Sequence, residues 1–357
     1  MGIKSKMKKN LMGMRGRYVD IRKRNAHLKT IKKHILEGKE PIPQLTSEQE
    51  NEIKKYWGRF GIDVPLEWHR LLYAKTGMIR PDFVPEPIFH YNIKKYMNNH
   101  TFAEVWGDKC YIDYFIRDVQ TVKSVIRNVN GRFLNEKFEI ITLEEAQKIA
   151  DNHDRLVIKP STYTDTGKGV KLLKAPFDMK SLYKEYKKNF VVQIPLKQHE
   201  ELSKLNASSI NTIRVNSVLF DNEAHVMSAF IKVGQPGAFA DNHGHDRYFI
   251  GITEEGKFNN YAINHDLQKF NSIPSGYDFA GKPVPDFDKV CRAIEKAHKC
   301  IPHFGFAFWD VCINENGEPV IVEANLRYPD ATIPQVAYGP FLGKYTDQIM
   351  KYITKRK

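Results

Sequence analysis

One stretch restricts this chain more than any other: Phe304-Gly-Phe-Ala-Phe-Trp-Asp310-Val-Cys-Ile-Asn-Glu-Asn316-Gly317-Glu-Pro-Val-Ile-Val-Glu323-Ala-Asn325. Asn-Gly is the preferred pair for a two-residue type I′ turn, so the apolar runs flanking Asn316-Gly317 predict an antiparallel hairpin. With that pair as the loop, Glu315 faces Glu318, and counting back along both strands sets Asp310 opposite Glu323. Asn325 follows two residues on and shares the face of Glu323. Facing like charges destabilise an antiparallel pair, and the flanks here (Phe308, Ile321, Val322) are apolar. A divalent cation would resolve the conflict. Two carboxylates and an amide are hard oxygen ligands of the kind Mg²⁺ takes, with waters and substrate phosphates completing the shell. The alternative is a register slipped by one, which carries both acids to solvent.

A second segment runs Val157-Ile-Lys159-Pro160-Ser161-Thr-Tyr-Thr-Asp-Thr-Gly167-Lys168-Gly169-Val170. An apolar strand delivers a lysine, a polar glycine-containing loop follows, and Val170-Lys-Leu-Leu173 reads as another strand. No glycine stands five residues before Gly167 and no helix follows, which excludes a Walker A loop. A glycine loop between strands can fold over phosphates as a lid, offering backbone N–H groups and Lys168; an ordinary hairpin loop is the plainer reading. A third segment, Asn206-Ala-Ser-Ser-Ile-Asn211-Thr-Ile-Arg214-Val, opens a β-branched strand. There Arg214 could present its planar fork to a phosphate oxygen.

The rest of the chain reads as α+β. Strands are predicted at 155–160, 170–173, 190–194, 210–220, 225–233, 247–253, 304–313 and 320–324, with helices at 179–188 and 286–300. Asp221-Asn222, Glu255-Gly256 and Asn316-Gly317 mark turns. Capping boxes are expected at Ser47/Glu50 and Thr142/Glu145. The aromatic stretch from Trp57 to Tyr96 reads as core more readily than as a platform for sugar rings. No apolar run approaches the roughly 18–20 residues needed to span a bilayer, and the N-terminus lacks the apolar segment of a secretory signal. Cys110, Cys291, Cys300 and Cys312 show no CxxC spacing, so they read as reduced thiols of a cytosolic protein without structural zinc. The net charge of +13 is concentrated in residues 1–34, where twelve Lys and Arg stand against Asp20 alone. Such an arm suits an anionic membrane surface, an anionic partner or nucleic acid, or is a solvated basic helix.

Taken in this order, the segments resemble the ATP-grasp superfamily, and within it the sugar-transfer-associated family found among cell-surface polysaccharide genes. The similarity runs from about Gly107 to Lys351. It is carried by Lys159-Pro160-Ser161 with Gly167-Lys168-Gly169, Val191-Val192-Gln193, Ser209-Ile-Asn211-Thr-Ile-Arg214 and Asp241-Asn242 with Gly244. Trp309-Asp310-Val311, Val322-Glu323-Ala-Asn325 and the tail Gln335-Val-Ala-Tyr-Gly339-Pro-Phe-Leu-Gly343 complete the set. The resemblance implies an ATP-grasp fold, two α+β lobes clasping ATP behind a mainly helical N-terminal region. The implied organisation is a basic arm at 1–34, a helical region at 35–105, a small lid lobe at 106–193 and a C-terminal lobe with the Mg²⁺ site at 194–357.

It also implies roles. Lys109, Lys159, Ser161, Gly167, Lys168, Gly169, Gln193, Ile194, Asn211 and Arg214 would bind ATP, with Gln193 and Ile194 as the hinge whose backbone reads adenine. Asp310, Glu323 and Asn325 would hold one or two Mg²⁺ (or Mn²⁺). Arg214 and Lys168 would act on the transferring phosphoryl group, and His245, with His243 or Asp246, is a candidate base. The lid has fewer glycines than many relatives, and Asp241-Asn-His-Gly-His-Asp246 carries histidines where a double glycine is usual, which leaves the substrate there open. The implied reaction is ADP-forming carboxylate–amine ligation through an acyl phosphate, joining an amino acid or other amine to a uronic-acid carboxylate of a surface glycan. It would take place in the cytoplasm or at the inner face of the membrane, where residues 1–34 could meet anionic lipid or a lipid-linked glycan. A kinase acting on a sugar or small-molecule hydroxyl is the alternative, and a non-enzymatic nucleic-acid-binding protein the remote one, since the body lacks a helix-turn-helix, zinc-finger or RNP signature.

Overall fold

The computed structural model describes residues 42–162, 167–237, 247–326 and 330–355. The basic arm, part of the lid loop and the segment 241–246 with His243, His245 and Asp246 lie outside the described residues.

Two compact units make up the chain. The first joins residues up to Tyr96 with the closing stretch Leu342–Lys357, and its described elements are helical. Helix α1 (Ser47–Gly58) opens on a capping box one residue earlier than expected: Thr46 Oγ1 accepts from the N–H of Gln49 at 3.3 Å, and Gln49 Oε1 accepts from the N–H of Thr46 at 2.9 Å. Thr46 and Gln49 offer the same spacing as Ser47 and Glu50, so the motif alone does not choose between them. Helix α2 (Leu66–Thr76) ends on Gly77 at φ 75°. Trp57 and Trp68 are 0% and 4% exposed, which makes them core and not a sugar platform.

The second unit, Met97–Phe341, holds two antiparallel sheets. The smaller contains β1 (Ser124–Val129), β2 (Arg132–Leu134) and β3 (Ile140–Ile141), then β4 (Arg155–Pro160), β5 (Lys171–Lys174) and β6 (Phe190–Gln193), in the order β3-β2-β1-β6-β4-β5. Helices α3 (Leu143–Asp151), capped by Thr142 and Glu145 as predicted, and α4 (Met179–Tyr186) pack on it. Ala146, Ala150, Leu156, Ile158, Phe190 and Val192 form its core.

The larger sheet contains β7 (Ile213–Phe220), β8 (Glu223–Val233), β9 (Tyr248–Ile252), β10 (Phe258–Ile263), β11 (Lys269–Phe270), β12 (Phe306–Ile313) and β13 (Pro319–Asn325), ordered β11-β10-β9-β8-β7-β12-β13. Helix α5 (Phe287–Lys299) covers one face with Val290, Ile294 and Ala297, against Ile213, Val215 and Trp309. Helix α6 (Thr332–Ala337) lies on the other face against β8, β9 and β10. Its approach requires Gly251, because a Cβ there would run into the carbonyl of Ala337.

Two turns contrast. Asp221 and Asn222 take φ 49° and 65° and join β7 to β8 with Phe220 opposite Glu223, a two-residue turn as predicted. The β12–β13 loop departs from expectation. Of Asn316 and Gly317 only Gly317 has positive φ (77°), and type I′ needs two such residues. Asn314 Oδ1 accepts from the N–H groups of Asn316 and Glu318 at 2.9 and 3.0 Å, and the N–H of Gly317 donates to the carbonyl of Asn314 at 3.0 Å. The turn therefore shifts by one residue, and Val311 pairs with Ile321. A β-bulge between Asp310 and Val311 then absorbs Val322 and returns Asp310 to a position opposite Glu323. The facing acids are real, reached through two offsets that cancel.

Candidate active site

A cavity opens between the two sheets of the second unit. Its apolar end is lined by Val122, Val157, Ile194, Leu196, Ile210 and Val322, and its polar end by Lys109, Lys159, Lys232, Asp310 and Glu323. Each side chain arrives by a distinct backbone device. The N–H of Lys109 donates to the carbonyl of Ser161 at 3.1 Å, which pins the turn carrying Lys109 to the end of β4, where Lys159 sits. The N–H groups of Val122 and Ile321 bond the carbonyls of Ile321 and Gln120 at 3.2 and 2.8 Å, tying the approach to β1 against β13. The bulge brings Val322 and Glu323 together onto the cavity wall.

The conflict expected between Asp310 and Glu323 is met within the chain. Arg214, opposite Asp310 in the β7–β12 ladder, grips it as a fork, Nε to Oδ1 at 2.6 Å and Nη2 to Oδ2 at 3.0 Å. Lys232 Nζ stands 2.9 Å from Asp310 Oδ2, and Lys109 Nζ 3.1 Å from Glu323 Oε2. Burial opposes ionisation of Glu323, but Lys109, then a hydrogen bond shared with Asp310, then Lys232 and Lys159 outweigh it and hold its carboxyl well below the usual range. Burial, then the charge of Lys109, lowers Lys159 to about 8.

Asn325 Nδ2 lies 3.4 Å from Asp310 Oδ2 and 3.2 Å from Glu323 Oε1. Turning that amide over would place its oxygen where the nitrogen stands, so the three side chains converge as a set of hard oxygen donors and fit Mg²⁺. Among the described residues no group of three His, Cys, Asp or Glu gathers as a metal cluster.

The other predicted residues divide. Gly167, Gln193 and Ile194 line the cavity. The N–H of Ile194 is engaged by the carbonyl of Lys123 at 3.0 Å, and Gln193 Nε2 by Ser124 Oγ at 3.0 Å. Pro195 has no N–H, so the next backbone donor beyond the strand is that of Leu196, which lines the cavity. Ser161 is fully buried and is not among the lining residues; its N–H donates to the carbonyl of Asn189 at 2.8 Å. Lys168 is exposed in the turn before β5, and Gly169 packs on Pro160, with its carbonyl accepting from Tyr186 Oη at 2.7 Å. Neither belongs to the described lining. Asn211 is fully buried, and its Nδ2 ties down the carbonyls of Leu202 and Asn206, both at 2.9 Å. It shapes the segment that places Ile210 and Thr212 on the wall and does not itself face the cavity. Lys232 was not anticipated. Its signal was a lone lysine near the end of the apolar run Ser228-Ala-Phe-Ile-Lys-Val233.

The sequence matches the sugar-transfer associated ATP-grasp family over residues 90–351. The chain belongs to that family. It therefore has the ATP-grasp fold and stands in the ATP-grasp ligase superfamily. The structure is similar to VanG D-Ala:D-Ser ligase from Enterococcus faecalis (15% identity, TM-score 0.42, covering 70% of this chain and 61% of that one). It is also similar to D-alanine–D-alanine ligase from Bacillus anthracis (15% identity, TM-score 0.40, 72% and 70% covered). A third similar structure is the biotin carboxylase domain of the Hydrogenobacter thermophilus 2-oxoglutarate carboxylase (14%, 0.42, 68% and 47%). This ATP-grasp chain thus spans less than two thirds of the VanG ligase's length. No functionally curated protein matches the sequence. No helix among the described residues of this family member is long and apolar enough to cross a membrane.

Proposed function

We propose that the protein is an ATP-dependent carboxylate–amine ligase, joining an amino acid or other amine to a uronic-acid carboxylate in bacterial cell-surface polysaccharide synthesis. One observation carries the reading: an apolar slot leads into two carboxylates, Asp310 and Glu323, beside Lys109, Lys159 and Lys232, with Arg214 and Asn325 in contact with those acids. A planar base fits the slot, with the Leu196 N–H and the Ile194 carbonyl as its backbone partners. The triphosphate lies along Lys159, Lys109, Arg214 and Lys232.

Mg²⁺ held by Asp310, Glu323 and Asn325 supplies charge neutralisation at the phosphate oxygens. The protein's part is positioning and preorganised positive charge. Arg214 and Lys232 exchange Asp310 for oxygens of the γ-phosphate as its charge redistributes. The acid's carboxylate oxygen forms a bond to the γ-phosphorus, the bond to the bridging oxygen breaks, and ADP leaves. The amine nitrogen then attacks the acyl carbon, phosphate departs, and the nitrogen loses a proton to a base. His243, His245 and Asp246 are the candidates for that base. Residues 1–34 would hold the enzyme at an anionic membrane face or a lipid-linked glycan. The family's association with sugar transfer supports a glycan-bound acid.

The test combines Mg·ATP, a uronic-acid glycoside and pooled amino acids, with ADP and phosphate release measured alongside product masses. A product of acid plus amine minus water, absent with Asp310→Asn and Glu323→Gln, is the expected result. ADP released with a stable phosphate ester would instead make the protein a kinase. No nucleotide binding at all would remove the reading.

A further inference from the structure

Away from the cavity, positive charge gathers on the edge of the smaller sheet. Residues 168–188 hold seven lysines, all exposed, against Asp178 and Glu185. With +11 in residues 1–34 and +5 here, the remainder of this +13 chain is negative. Lys171 meets Glu185 at 2.5 Å, and the other six lysines have no ion pair among the described residues. Asp178 is engaged instead by Ser181, accepting from its N–H at 2.9 Å and its Oγ at 2.6 Å. By contrast, the exposed Lys123, Lys197, Lys204 and Lys299 of the same unit each have an acid at 2.5–3.5 Å. Arg155 of β4 stands directly opposite Lys174 of β5, two like charges in one ladder, an arrangement that destabilises a sheet unless an anion joins them.

Lysine on an edge strand discourages pairing with other sheets, which accounts for Lys171 and Lys174. It does not account for Lys180, Lys184, Lys187 and Lys188, on α4 and just beyond it. Met179, Leu182, Tyr183 and Tyr186 turn to the core and leave Lys180 and Lys184 outward. Lys187 has φ 64° and ψ −59°, and the N–H of Lys188 donates to the carbonyl of Tyr186 at 2.7 Å. That is a strained γ-turn, held here on a lysine. Tyr186 Oη reaches the carbonyl of Gly169 at 2.7 Å, so α4 runs back along β5 and the stripe ends beside Gly167 on the cavity rim.

We propose that this stripe docks an anionic polysaccharide, whose repeating carboxylates lie along β5 and α4 and lead to the lid. This rests on the ligase reading of the cavity, and it makes the acid substrate part of a chain. A lysine is a point charge on a flexible stem and accepts carboxylates at irregular spacing. The helix keeps its apolar side chains in the core, so it offers nothing to enter a bilayer.

Calorimetric titration of a galacturonate decamer into the full chain at 0.1 M salt tests this. The stripe variant replaces Lys174, Lys180, Lys184 and Lys188 with Gln. A control replaces Lys123, Lys197, Lys204 and Lys299 with Gln, the same change in net charge. The stripe variant should bind the decamer at least about tenfold more weakly than the parent, and the control within about twofold of it. Residues 1–34 are present in all three proteins, and thermal melts confirm that each is folded. Equal decamer affinity in the stripe and control variants overturns the proposal, as does a parent that does not bind the decamer. Loss of binding to phosphatidylglycerol vesicles in the stripe variant, with decamer affinity kept, overturns it in favour of a membrane. Mg·AMP-PNP should bind the parent and the stripe variant alike. A parent that binds no AMP-PNP overturns the ligase reading instead, and this separate titration tells the two failures apart.

Discussion

Strand β12 carries buried polar groups on both faces, and the two sets are held in different ways. On the face toward α5, Trp309 Nε1 donates to Ser217 Oγ at 2.8 Å, Ser217 donates to His298 Nδ1 at 2.8 Å, and His298 Nε2 donates to the carbonyl of Phe304 at 2.9 Å. Each partner is neutral; burial lowers His298 from 6.5 to about 4. On the face toward the cavity, Asp310 is held by the charges of Arg214 and Lys232. A closed neutral circuit has nothing to trade and serves the fold. A charged set can exchange partners, because an incoming phosphate offers its cations the same interaction as the carboxylate they leave.

The largest expected effect falls on the charged face alone. Asp310→Asn should cut ATP-dependent turnover by at least about 10³-fold, as removal of a transition-state charge contact does, with the circular dichroism of the folded protein retained. A turnover loss of only a few-fold would remove Asp310 from the chemistry.

The opposite face should respond in stability instead. Ser217→Ala strands the Trp309 and His298 nitrogens and should cost about 2–5 kcal/mol in denaturant unfolding, with nucleotide affinity unchanged. If affinity fell as steeply as stability, the two faces would be one network.

Acid sharpens the contrast. His298 has a folded-state value near 4 against 6.5 when unfolded, so the unfolded chain binds the extra proton between those values. Stability is therefore full above pH 6.5 and declines as pH falls towards 4, by up to about 3 kcal/mol from this group. His69, lowered to about 4 mainly by burial, acts in the same window. His298→Gln should flatten part of this decline in melts taken across the range, and an unchanged slope would contradict it.

The smallest effect belongs to Lys159. With its value lowered to about 8, it is partly neutral above that pH, and a bound phosphate favours the charged form. Nucleotide binding at pH 8.5 should take up a fraction of a proton, seen by calorimetry in buffers of different ionisation enthalpy, and affinity should fall severalfold from pH 8 to 9. Lys159→Gln should abolish the uptake.

Much of this was legible along the chain where the signal is local. Strand β4 occupies the predicted Arg155–Pro160, and Thr142/Glu145 caps α3. Strand β1 went unseen because Arg127 breaks its apolar run; the residue is fully buried, with its guanidinium engaged by Asp113 and by the carbonyls of Cys110 and Asn135. Strand β10 carries Asn259, whose side chain reaches the carbonyl of Ala337. In both strands a distant partner makes a polar residue acceptable inside a sheet, and composition within a short window does not report distant partners.

The sequence by itself determined the period-2 strands, the place of the hairpin and the shared face of Glu323 and Asn325, because pleat and turn chemistry act between near neighbours; the pairing of Asp310 with Glu323 came instead from a shifted turn and a bulge that cancel. Tertiary structure decided what neutralises those acids. Arg214 and Lys232 come from β7 and β8 and Lys109 from the turn pinned to β4. Their approach depends on which strands lie side by side, and that order is set by burial summed over whole sheets, which no local pattern encodes.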